Sequence, residues 1–94
     1  MPLYLAEVYF KEGFKLGFEL IAGALSGGFP AGVTLKAGPW ASNEEAKIML
    51  VLDIQDHSLT FGPFSSAVAQ GIFAKRRLTP IVEWSAVEKA LKES

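Results

Sequence analysis

The chain has 94 residues, half of them apolar, with a formal net charge of −1 and no cysteine. That length makes residues 1–94 a single domain. The composition excludes disorder, the near-neutral charge excludes an electrostatic footprint for nucleic acid or an anionic membrane, and the missing cysteine excludes disulfides, thiolate metal sites and thiol nucleophiles. Because a domain this small buries only about 60 to 65% of its unfolded surface, some of its apolar side chains must end outside its own core.

In chain order, Leu3 to Phe10 is apolar on both faces apart from Glu7, which suits a central strand. It opens with no basic region and no small-residue cleavage pattern, so it reads as the first structural element of a cytoplasmic protein. From Gly13 to Ser26 the period becomes helical, and Phe14, Phe18, Ile21, Ala22 and Leu25 share the expected inward face. Gly27, Gly28 and Pro30 end that helix. Gly32 to Trp40 alternates Val33, Leu35 and Ala37 against Thr34, Lys36 and Trp40. The polar run Ser42 to Glu45 then turns the chain into Ala46 to Ile54, which makes a hairpin.

Asp56 to Gly62 reads as a linker, and Pro63 suits the first position of a helix running to Phe73. On the wheel, Phe64, Ala67, Val68, Gly71 and Ile72 face inward. The outer face, Ser65, Ser66, Ala69, Gln70 and Phe73, carries no charge, and this predicts cover by another chain. After Lys75, Arg76 and Arg77, the segment Leu78 to Trp84 reads as a fourth strand, which Pro80 confines to an edge. Ser85 and Glu88 form a capping box that opens a short terminal helix. Two stretches lack charge, Leu20 to Leu35 and His57 to Ala74, but glycine, proline and polar residues interrupt both, so neither spans a membrane.

Strand, helix, strand, strand, helix, strand and a short helix define an α+β, ferredoxin-like βαββαβ chain. The expected architecture is a four-stranded antiparallel sheet with its helices on one face. This order, together with the run Leu78, Thr79, Pro80, Ile81, Val82, Glu83 and Trp84, resembles the dimeric α+β barrel superfamily. That group includes stress-responsive barrel proteins, muconolactone-isomerase-like proteins and cofactor-independent monooxygenases. The resemblance implies a homodimer or higher homo-oligomer whose sheets pair through their helix-free faces. It does not choose a function, since this fold hosts many.

Ala46 to Ile54 contains no aromatic residue, which argues against an RNA-recognition surface. A lone histidine argues against a metal site, and no residue pattern calls for a cofactor. If Ala6, Val8, Ile48, Leu50 and Leu52 face the helices, alternation sends Glu7, Tyr9, Lys36, Met49, Val51, Asp53, Thr79, Ile81 and Glu83 to the other face. Enclosed in a barrel, that face could hold a small apolar or aromatic molecule, with Glu7, Tyr9, Met49, Asp53, His57 and Arg77 as candidate binding residues. The same charges also read as pairs with Lys36, Lys47 or Arg77 that fix dimer register. His57 reads as a loop residue or cap. Alternatively it is a general acid or base at a sheet end expected to gather Lys11, Glu12, Asp56, Arg76 and Arg77. A ligand-binding oligomer, an oxygenase- or isomerase-like enzyme, and a purely structural or regulatory module all remain open.

Overall fold

Alternating apolar side chains place two strands side by side at the centre of the molecule. In the computed structural model, which describes residues 2–93, these are β1 (Leu3–Phe10) and β3 (Lys47–Ile54), flanked by β2 (Val33–Ala41) and β4 (Phe73–Ile81). The sheet order is β2-β3-β1-β4, and every neighbouring pair is antiparallel. Three helices complete an α+β fold: α1 (Phe14–Gly27), α2 (Phe61–Ala69) and α3 (Trp84–Lys92).

Ala6, Val8 and Phe10 of β1 and Ile48, Leu50, Leu52 and Ile54 of β3 are buried on one face, with Ile54 fully sequestered. Removing a side chain such as Leu50 or Leu52 from water contributes about 1.5 to 3 kcal/mol. Ala6, Val8, Ile48, Leu50 and Leu52 are the residues that the alternation assigned to the helices, and Phe10 and Ile54 extend that set. The hairpin joining β2 to β3 turns at Ser42, whose hydroxyl accepts from the backbone N–H groups of Glu44 and Glu45 at 3.0 and 3.1 Å. Pro80 does lie in an edge strand.

Four expectations need correction. First, α1 turns a different side inward: Gly17 is buried and Ile21 and Ala24 are half-buried, while Ala22 and Leu25 are exposed and Phe18 is 71% exposed. The cause is Phe10, whose ring occupies the space where a Cβ on Gly17 would sit, so the glycine lets the helix down onto the sheet.

Second, the helix expected over Pro63 to Phe73 begins at Phe61 and ends at Ala69. Gly71 adopts φ +76° and donates to the Val68 carbonyl, and Ile72 donates to the Ala67 carbonyl, a Schellman ending that only a left-handed residue permits. Phe73 is thereby released to open β4, so the fourth strand runs over Phe73–Ile81 instead of Leu78 to Trp84, and Glu83 lies outside it. The terminal helix starts at Trp84 after Glu83, and no side chain caps it.

Third, β2 changes face midway. Its register slips between Leu35 and Ala37, so Leu35 pairs with Leu52 while Ala37 pairs with Val51 on the opposite side. Fourth, the charged residues do not gather at one end. Because β1 and β3 run antiparallel, Lys11 and Glu12 leave the sheet where β3 and β4 begin, whereas Asp56 and His57 follow β3 at the far end.

Candidate functional site

The sheet face turned away from α1 and α2 carries most of the candidate residues. Register sets Glu7 beside Met49 on one side and Arg77 on the other, with Tyr9 one row along between Lys47 and Lys75. Lys47 Nζ donates to Glu7 Oε2 at 2.8 Å and to the Tyr9 hydroxyl at 3.4 Å, and it lies 3.3 Å from Glu45 Oε2. Lys75 stands 4.6 Å from the centre of the Tyr9 ring. The hydrogen bond from Lys47 holds the Glu7 carboxyl below its ordinary range against the opposing effect of burial, and the charges of Lys47 and Arg77 add to the lowering. Glu7 also raises the Lys47 ammonium above its usual value. The arrangement is a charge ladder that fixes side chains across three strands.

Asp53 shares this face but lies at the other end of β3, opposite Leu3 and Thr34. It is 8% exposed, and its Oδ1 has no hydrogen-bond partner among the described residues. His57 is not on the sheet at all. It opens a single 3-10 turn, His57–Thr60, that Asp56 caps by accepting from the Ser58 N–H at 3.0 Å. That bond keeps the Asp56 carboxyl below its ordinary value. The structure therefore unites Glu7, Tyr9, Met49 and Arg77, and leaves Asp53 and His57 apart from them.

Open volume is found on both sides of the sheet. A cleft of about 510 Å³ runs between α1, α2 and the helix-facing side of the sheet. Its floor is Ala6, Val8, Leu50 and Leu52, one wall is Leu20, Ile21 and Ala24, and the other is Phe64 and Ala67. Of its aromatic rings, Phe73 meets Phe64 at 6.2 Å. Thr60, Ser66, Gln70 and Arg76 supply its polar side chains, and among the described residues no Asp, Glu, Tyr or His lines it. Ser66 and Gln70, expected on an outer face, thus border this cleft and bond to each other at 3.1 Å. A second cleft of about 540 Å³ lies on the Glu7 side of the sheet, where Leu3, Lys36 and Ile81 meet the first turn of α3, although none of Glu7, Tyr9 or Asp53 lines it.

Arg76 is the residue that sequence reasoning misplaced. It pairs with Val8 across β4 and β1, so it faces the helices, while its neighbours Lys75 and Arg77 face away. Its Nη1 donates to the Thr60 carbonyl at 3.1 Å and to the Thr60 hydroxyl, and its guanidinium carbon stands 4.5 Å from the centre of the Phe64 ring. Burial lowers its pKa. The signal was present: beginning the strand at Phe73 separates the basic run into two faces.

Among the described residues no helix is long and apolar enough to cross a membrane, and no group of three or more His, Asp and Glu gathers as a metal site. The chain matches no family model, no curated protein and no solved structure.

Proposed function

We propose that this chain is a homo-oligomeric protein of the ferredoxin-like, α+β barrel kind, and that it binds a small apolar or aromatic molecule in the cleft between α1, α2 and the sheet. The cleft carries this reading. Its volume of about 510 Å³ falls in the range of small-molecule sites, roughly 300 to 1,000 Å³, and like them it is mostly apolar with a few polar groups at the rim. The site thus moves from the sheet face turned away from α1 and α2 to the opposite one. Binding is favoured over proton-transfer catalysis, because among the described residues the cleft contains no carboxylate, phenol or imidazole to take up a proton. Self-association is supported by Phe18, Phe61, Trp40 and Trp84, all more than half exposed.

The test is titration with N-phenyl-1-naphthylamine, an uncharged dye that fluoresces in apolar surroundings. One dye per chain is expected to bind, and Ala24→Trp, which fills the cleft from the α1 wall, weakens binding at least about tenfold. Equal affinity in the filled variant would sink the assignment.

A further inference from the structure

We propose that the ligand of this cleft is an amphipathic organic anion, an apolar body bearing one carboxylate, sulfonate or phosphate head, and that Arg76 holds the head. The proposal rests on the cleft being a ligand site and adds the chemical class of what enters it. Among the described residues Arg76 is the only charged side chain lining the cleft. It makes no ion pair with any described carboxylate. A cation drawn partly out of water without a counter-charge is costly to keep, so such a position favours an incoming anion.

The guanidinium is also held ready. Thr60 occupies Nη1 through two acceptors and the Phe64 ring lies 4.5 Å from the guanidinium carbon, leaving the Nε and Nη2 donors without a protein acceptor among the described residues. Those donors form the fork that grips two oxygens of one head group. An ordinary surface arginine has neither the apolar cavity beside it nor these contacts. Behind the head, Leu20, Ile21, Leu50 and Phe64 accept the hydrocarbon body.

The experiment compares 8-anilinonaphthalene-1-sulfonate with its uncharged parent, N-phenyl-1-naphthylamine, on the full chain. The sulfonate is expected to bind at least about tenfold more tightly. Arg76→Gln should erase that preference, the ratio of the two affinities being the quantity read. Equal binding of the two dyes by the unmodified chain, or a preference that survives Arg76→Gln, overturns the proposal while the ligand-site reading stands. Failure of both dyes to bind, or binding of both undiminished in Ala24→Trp, removes the ligand site itself. If Arg76→Gln does not fold, Arg76→Lys decides. It keeps the charge and loses the planar fork, so the preference should fall at least about threefold, and an unchanged preference overturns the proposal.

Discussion

Gly17 and Gly23 lie in the same helix yet should respond oppositely to one added methyl group. Alanine in place of glycine stabilises a helix interior by about 0.5 to 1 kcal/mol. At Gly23 a Cβ meets nothing within 4 Å, so Gly23→Ala should gain that amount. At Gly17 the Cβ collides with the Phe10 ring. Overpacking of this kind costs about 1 to 3 kcal/mol, so Gly17→Ala should lose about 1 to 2 net. Urea midpoints measure both, and Phe10→Leu in the Gly17→Ala background should recover much of the loss. The pH dependence of the Glu7 and Lys47 pair has a definite sign as well. The native Glu7 pKa lies below its ordinary 4.5, so the unfolded chain takes up the proton first. The stabilisation is complete above pH 4.5 and disappears as pH falls from there through the lowered native value. Lys47, raised above 10.5 in the folded state, keeps its contribution below pH 10.5 and loses it as pH rises through the native value. The melting temperature of Glu7→Gln should therefore lie below that of the unmodified chain at neutral pH and converge with it in acid.

At the level of elements, α1 is the weakest by construction. It begins after an uncapped Gly13, contains two internal glycines, and has no acid in its first turn and no base in its last. Its helicity depends on resting against the sheet, so in hydrogen exchange its amides should open faster than those of β1 and β3. Protection of α1 equal to that of the central strands would contradict this. The same element shows where sequence stops being sufficient. Apolar residues surround α1 so widely that the wheel locates no unique inward side, and only the Phe10 ring beneath Gly17 selects one. The strands of the core were legible because period-2 alternation has two states and burial picks one, as Ala6, Val8, Leu50 and Leu52 show. The end of α2 was not, because Gly71 suits an inward helix position as well as a left-handed stop, and only its positive φ separates the two. That ambiguity of one glycine hid the start of β4, and with it the side of the sheet to which Arg76 belongs. Glu7, Tyr9 and Met49 could be assigned to one face in advance because alternation along a strand is local, whereas the cleft depends on how far two helices stand apart.

The whole molecule is larger in surface than its mass requires. It exposes 6288 Å², where a compact monomer of 10.2 kDa exposes about 5,300 Å². The difference, roughly 1,000 Å², is comparable to the ~800 Å² each partner contributes to a standard interface. The radius of gyration is 14.7 Å against about 12.4 Å for a compact chain of this length. The proposed self-association would bury such an excess, and on the sheet face turned away from α1 and α2 Val51 stands near the middle, between Leu5 and Ala37. Sedimentation at micromolar concentration should find a dimer or larger assembly, and Val51→Lys should reduce it to monomers. The melting temperature of the unmodified chain should rise with protein concentration, while that of the variant should not. A monomeric unmodified chain would remove the assembly from the proposal and leave the cleft untouched.

The two outer strands also limit what kind of assembly is open to this chain. β4 carries Pro80, which has no N–H to offer, together with alternating Lys75 and Arg77. β2 is broken twice in register, around Gly38 and Pro39, where Gly38 takes φ +90° with the Met49 carbonyl oxygen 3.0 Å from the space a Cβ would fill. Neither border presents an unbroken row of donors and acceptors on which a foreign strand could template itself. Neighbours must arrive broadside, on the faces, and broadside pairing around a two-fold axis closes upon itself. Any association through the exposed hydrocarbon of this chain is thereby steered toward closed assemblies and away from strand-templated fibres.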